Sequence, residues 1–232
     1  MAALRQADGE HRPLAGRQRL ESLGQIMNDW NDLVSRIRKT EAGGVRVMIA
    51  IGGPPAAGKS HISERLRAEL ASEGAEILPM DGFHYDNAVL DQLGLRPRKG
   101  APQTFDFDSF ELTLRRVRDS EATVAVPTFD RSLDLSRAGA RLIASPTRYV
   151  IVEGNYLLLN RAPWSGLARL FDLTVFLAEP RAELEERLLK RWTDLGYSKR
   201  DAEAKVHGND MPNVDMVLEQ SSPPDIVWHS AN

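Results

Sequence analysis

The sequence predicts an α/β domain built on a mostly parallel, doubly wound sheet, and three observations predict it. Five short apolar runs recur along the chain without polar–apolar alternation, as strands covered on both faces do. Segments with helical spacing separate those runs. A glycine-rich loop joins the first run to the helix that follows it. With 232 residues, the chain reads as one domain, 1–232, long enough to bury its own core.

Taken in order, residues 1–13 read as a polar tail. From 14 to about 40, Leu20, Leu23, Ile26, Met27, Trp30, Leu33, Val34 and Ile37 fall at helical spacing. They predict one N-terminal amphipathic helix packed on the core and ended by Gly43-Gly44. The apolar runs are 45–51, 77–80, 149–152, 173–177 and 226–228, and helices are expected over 59–72, 107–120 and 181–192. A sixth run, 124–126, closes on Pro127 and belongs to an edge or an inserted hairpin. The stretch 81–106 is rich in Gly, Pro and basic residues, and is too long for a passive connection.

Composition narrows the chemistry. Hydrophobic residues are 42% and charged residues 27%, ordinary usage for a globular domain. Thirty Lys and Arg against 33 Asp and Glu give a net charge of −3, which argues against nucleic acid as the partner. With no cysteine, disulfides, thiolate metal sites and a cysteine nucleophile are excluded. The N-terminus has no signal-peptide core and no run is long enough to cross a membrane, so no membrane insertion and a cytoplasmic location are expected.

Gly53-Pro54-Pro55-Ala56-Ala57-Gly58-Lys59-Ser60 fits G-x-x-x-x-G-K-[ST] at every fixed position. Such a loop curls so that successive N–H groups face phosphates, with a helix N-terminus aimed at the same charge. Lys59 is expected on the β- and γ-phosphates of ATP and Ser60 on Mg²⁺, with His61 counted in the same nucleotide-binding stretch. Glu153, ending the run 149–152 before Gly154, is the candidate metal-side carboxylate; a plain strand-end residue is the alternative. Asp91-Gln92-Leu93-Gly94 spells D-x-x-G, but it follows no apolar run and no N-K-x-D accompanies it, so a switch GTPase is disfavoured.

The second run ends in Met80-Asp81-Gly82-Phe83-His84. Carboxyl ends of strands line the ligand crevice of doubly wound sheets, which makes Asp81 a candidate base for a substrate hydroxyl, against a simple Asp-Gly turn. His84 is either a substrate contact or a loop residue. Arg96, Arg98 and Lys99 face the acceptor side or are solvated; Arg98 is taken as a substrate-binding candidate.

These residues, together with Val126-Pro127-Thr128-Phe129-Asp130 and Asn209-Asp210-Met211-Pro212-Asn213, resemble the uridine kinase, phosphoribulokinase and pantothenate kinase group of P-loop kinases. Within it, the chain is most similar to bacterial proteins named as fructose transport system kinases. The resemblance spans roughly residues 45 to 228. It implies a five-stranded parallel sheet of order 2-3-1-4-5, counting the five runs in sequence. It implies Asp81 as base, Glu153 beside the metal, and a lid over about 181–208 that brings Arg187 and Arg191 over the phosphates. Those two share a helix face at i, i+4; an exposed face balanced by Glu183 and Glu186 is the alternative. Phe129 and Arg131 stand where acceptor-binding side chains are expected, with Phe129 where nucleoside kinases often carry Tyr. Asn209–Asn213 is implied to wrap the nucleotide base. Ser198-Lys199-Arg200-Asp201 reads as a capping box opening a further helix.

The expected function is ATP- and Mg²⁺-dependent transfer to a hydroxyl of a small molecule, extending to a sugar such as fructose. A nucleoside or pantothenate-like acceptor, or a transport-associated nucleotide-binding regulator, is the alternative. A homodimer is left open.

Overall fold

A computed structural model describes residues 16–22 and 24–229. The strands are β1 (Gln25–Met27), β2 (Val47–Gly52), β3 (Ala75–Pro79), β4 (Val124–Asp130), β5 (Leu135–Ile143), β6 (Tyr149–Gly154), β7 (Leu173–Leu177) and β8 (Ile226–Trp228). The helices are α1 (Gly16–Glu21), α2 (Trp30–Arg38), α3 (Lys59–Glu69), α4 (Asn87–Gln92), α5 (Phe107–Asp119), α6 (Arg181–Asp194), α7 (Lys199–Lys205) and α8 (Met211–Gln220).

One parallel sheet runs β1-β8-β7-β2-β6-β3. The five runs therefore lie in the expected order, but the sheet has six strands, because β1 adds to the edge by pairing with β8 from Gln25↔Ile226 to Met27↔Trp228. Every residue of β2 and β6 is buried, which explains why their sequences do not alternate. The polar tail expected over 1–13 lies outside the described residues.

The single helix expected over 14–40 does not form. Its segment splits into α1, β1 and α2. The Asp29 carboxylate caps α2, accepting from the backbone N–H of Asn31 at 2.8 Å and Asp32 at 3.0 Å, so a helix starts there rather than continuing. Pairing to β8 satisfies the backbone of the residues between. Ile26, placed on the core face by helical spacing, is 58% exposed in the strand.

The first apolar run also proves shorter than expected: Val45 is exposed and the strand begins at Val47. Arg46 between them is fully buried. Its guanidinium donates to the backbone carbonyls of Val117 (2.6 Å), Ser120, Ala122 (3.0 Å) and Ala144 (3.3 Å). A buried charge with that many acceptors is a fixed joint; it ties the foot of β2 to the end of α5 and to the segment after β5.

The run 124–126 belongs to an antiparallel hairpin, β4–β5, outside the main sheet. The register shifts between Val126 and Thr128, at Pro127, which has no N–H to give the ladder. The long stretch after β3 is largely structured: a 3₁₀ turn at Met80–Phe83, α4, and an antiparallel bridge between His84 and Phe105. The buried Tyr156 hydroxyl donates to the carbonyl of Gly100 at 2.6 Å and pins that stretch to the core.

Candidate active site

Strand register builds the site. Glu153 in β6 lies opposite Ile51 of β2 on one side and Pro79 of β3 on the other. The phosphate loop leaves β2 two residues after Ile51, and Asp81 follows Pro79 by two. Three neighbouring strand ends thus deliver Lys59, Ser60, Glu153 and Asp81 to one crevice. Gly154 makes the approach feasible: a Cβ there would stand 2.6 Å from the Met80 Cβ. Its part is close packing against the Asp81 corner rather than the turn a glycine suggests.

In the loop, Gly58 has φ +89°, a left-handed conformation that suits glycine, and it gives α3 no side-chain cap. The first N–H groups of α3 are thereby left for an anion. Lys59 is buried, its Nζ donating to the carbonyl of Pro54 at 2.8 Å. Burial lowers its pKa to about 8, against the opposing pull of Glu153 and Asp81. A nucleotide's phosphates would raise the pKa of a lysine held this way.

The two carboxyls of the crevice are driven apart. Burial first, then the nearby Asp81, pushes Glu153 up to about 7, while Lys59, Arg131 and the Ser60 hydroxyl pull against them. Burial likewise opposes ionisation of Asp81, but His84, Arg131, Lys59 and Arg191 outweigh it and hold Asp81 below the usual carboxylate range. Arg131 is its direct partner, Nη2 to Oδ2 at 2.9 Å. His84 is itself kept below its usual value by burial, so the lasting partners of Asp81 at neutral pH are the three cations.

His84 is placed by its ring. Nδ1 lies 2.8 Å from the Asp81 carbonyl, which only accepts, so Nδ1 carries the hydrogen and donates. The imidazole stacks between Phe105 and Phe129, with centroids at 3.9 and 4.9 Å. Phe129 and Arg131 come from the end of β4 and its turn, and with Thr128 they face Asp81, Glu153 and Ser60 across a cleft of about 180 Å³. Arg141, from β5, lines the same cleft and escaped the sequence reading.

Not every expected residue points there. His61 is exposed on the first turn of α3 and does not line the cleft. Arg98 donates to the carbonyl of Gly208 at 2.9 Å, strapping the stretch after α4 to the turn before α8. Asn209 reinforces that strap, donating to the Lys99 carbonyl at 2.8 Å. The two arginines expected on a lid differ in their surroundings. Arg187 donates to the Ala56 carbonyl of the phosphate loop at 3.2 Å and pairs with Glu179 and Glu183. Arg191 keeps contact with solvent and stands in the field of Asp81 and Asp210; burial, then Arg131, lowers its pKa. Ser198 caps α7 as expected, its Oγ accepting from the Asp201 N–H at 3.2 Å.

A divalent cation finds a fitting donor set here. Among the described residues no cluster of three His, Cys, Asp or Glu side chains is present. One hydroxyl beside one buried, reluctantly ionised carboxyl is instead what suits Mg²⁺, which keeps its waters and takes most ligands from phosphates.

A family model described as "Phosphoribulokinase / Uridine kinase family" matches residues 48–230. The Escherichia coli (strain K12) protein YggC, named as uncharacterized, is 37% identical over 187 residues, covering 78% of this chain and 77% of that one. A Schizosaccharomyces pombe protein provisionally named a uridine kinase is 33% identical over 193 residues, covering 78% and 82%. Among solved structures, a Silicibacter sp. TM1040 protein provisionally named a fructose transport system kinase superposes with a TM-score of 0.81 at 38% identity, covering 85% of this chain and 98% of that one.

Proposed function

The chain belongs to the phosphoribulokinase and uridine kinase family and is a kinase, and we propose that it transfers the γ-phosphate of ATP to a hydroxyl group of a small molecule held under the β4–β5 hairpin. One observation carries this reading: Asp81, ionised at the end of β3, shares a cleft with Ser60, which with Lys59 follows β2 on the far side of β6.

ATP docks its phosphates on the loop 53–60, where the N–H groups of the α3 N-terminus are uncapped. Lys59 leaves the Pro54 carbonyl for the β- and γ-oxygens. Ser60 and Glu153 would hold Mg²⁺, which when bound supplies charge neutralisation across the β- and γ-phosphates. The acceptor hydroxyl takes its place at Asp81. As its oxygen bonds to γ-phosphorus, the bond from phosphorus to the ADP oxygen breaks and the hydroxyl proton passes to Asp81. A carboxylate held at low pKa accepts that proton late, so Asp81 acts first by orienting the oxygen lone pair. Arg191 brings positive charge to the transferring group, and Arg187 braces the loop through Ala56.

The Silicibacter relative's name supports fructose as an acceptor to try, and the yeast relative's name supports uridine. ADP release from Mg-ATP is measured against sugars, nucleosides and pantothenate, with Lys59→Ala as the loop control. Stimulation by one acceptor class that vanishes in Lys59→Ala is the expected result. An acceptor-independent rate alone would instead support a nucleotide-binding regulator.

A further inference from the structure

We propose that the acceptor carries an acid group, a carboxylate or a phosphate, and that Arg141 receives it; this rests on the hydroxyl-kinase reading of the same cleft. The hairpin brings two guanidinium groups to the cleft, Arg131 just after β4 and Arg141 in β5. They differ in engagement. Arg131 is committed to Asp81 at 2.9 Å. Arg141 is positioned by a single 3.1 Å bond from Nη1 to the Ile77 carbonyl. Among the described residues its carboxylate partner is Glu64, a long ion pair of 3.8 Å to Oε1, while Oε2 of the same carboxylate takes a 2.9 Å bond from Arg67. A guanidinium has five N–H donors, so most of those on Arg141 remain for a ligand, on a side chain only 29% exposed.

The wall beneath it is also unfinished. Ser63, buried in α3 where it lines the cleft, has a hydroxyl with no hydrogen-bond partner. Such a group is costly unless a ligand or water meets it. Arg141 and Asp81 line the same cleft, so an anion at one and a hydroxyl at the other belong to the two ends of one molecule. The cleft's volume of about 180 Å³ equals the share of roughly six waters, which suits a hydroxy acid or a small sugar derivative.

The test uses the whole protein with Mg-ATP and two matched sets: glycerol, glycerate and glycerol 3-phosphate; and fructose, gluconate and fructose 6-phosphate. ADP release gives kcat/KM, and calorimetry gives binding of each compound. We expect at least one anionic member to exceed its neutral counterpart by about tenfold or more, as a charge-assisted fork contact allows. Arg141→Gln should bring that ratio close to one, and Arg141→Lys should restore part of it. Preference between the acid and the phosphate identifies the group. Equal or better turnover of the neutral members, or a ratio unchanged in Arg141→Gln, overturns the inference while leaving the kinase reading standing. A residue that merely braced β5 on β3 would lower all acceptors alike. Anions that bind through Arg141 without turnover would uphold the inference and count against transfer; absence of any anion binding by the wild type overturns it.

Discussion

Replacing Lys59 by Met should change how stability depends on pH, apart from its effect on catalysis. Burial lowers the Lys59 pKa from 10.5 to about 8 in the folded protein. Between those values the unfolded chain holds a proton on Lys59 that the folded chain has lost, so the stability of the wild type rises with pH across that window. At about 1.36 kcal/mol per pH unit the full rise is about 3 kcal/mol. Met carries no proton, so the variant lacks this rise. The carbonyl of Pro54 loses its 2.8 Å donor in the variant, but that cost does not depend on pH and drops out of the slope. Urea denaturation of the ligand-free proteins at intervals from pH 8 to 10.5 measures the difference, starting above the Glu153 titration at about 7. The wild type should gain about 3 kcal/mol on Lys59→Met over that range. Parallel curves would refute the claim that Lys59 sits desolvated in the loop.

Glu153, pushed up to about 7 by burial and Asp81, keeps a proton where the unfolded chain has lost it, so its contribution falls as pH rises from about 4.5 to 7. Glu153→Gln should therefore melt higher than wild type at pH 8, with the gap closing toward pH 4.5, while Mg-dependent transfer is lost; a gap independent of pH contradicts this. Arg46→Met leaves the carbonyls of Val117, Ser120, Ala122 and Ala144 without their donor and should cost about 3 kcal/mol in urea denaturation, with kcat little changed. Arg187→Gln should raise KM for ATP by about three- to tenfold through a loosened Ala56; a fall in kcat of about 100-fold at unchanged KM would place Arg187 on the transferring group instead.

How much of this was legible in the sequence follows from how local each feature is. The phosphate loop, the Asp81 corner and Glu153 were readable because fixed residue types at fixed spacing dictate their backbone, and strand ends bring them together. The sheet order came with the family resemblance, since apolar runs alone do not say which strand neighbours which. β1 was invisible because three residues carry no periodicity, and its pairing with β8 is settled some 200 residues away. Ile26 and Met27 happened to fit helical spacing, whereas the Asp29 cap was the signal against one long helix. Arg46 hid in an apolar run, its acceptors all distant in sequence. Arg141 lies in a polar strand with no motif, and only folding the hairpin over β3 turns it toward the cleft. Position suggests Arg98 as a ligand contact and the family resemblance suggests Asn209; in the structure each donates to a backbone carbonyl, which no local signal in the sequence announces.

In the proposed reaction Asp81 serves the acceptor and not the nucleotide. Asp81→Asn keeps the size of the side chain and removes its charge, so one preparation measured for ATP affinity and for phosphoryl transfer separates the two. ATP binding should stay within about threefold of wild type and transfer should fall by about 100-fold or more. Transfer at the wild-type rate, or loss of ATP binding in step with transfer, would contradict it.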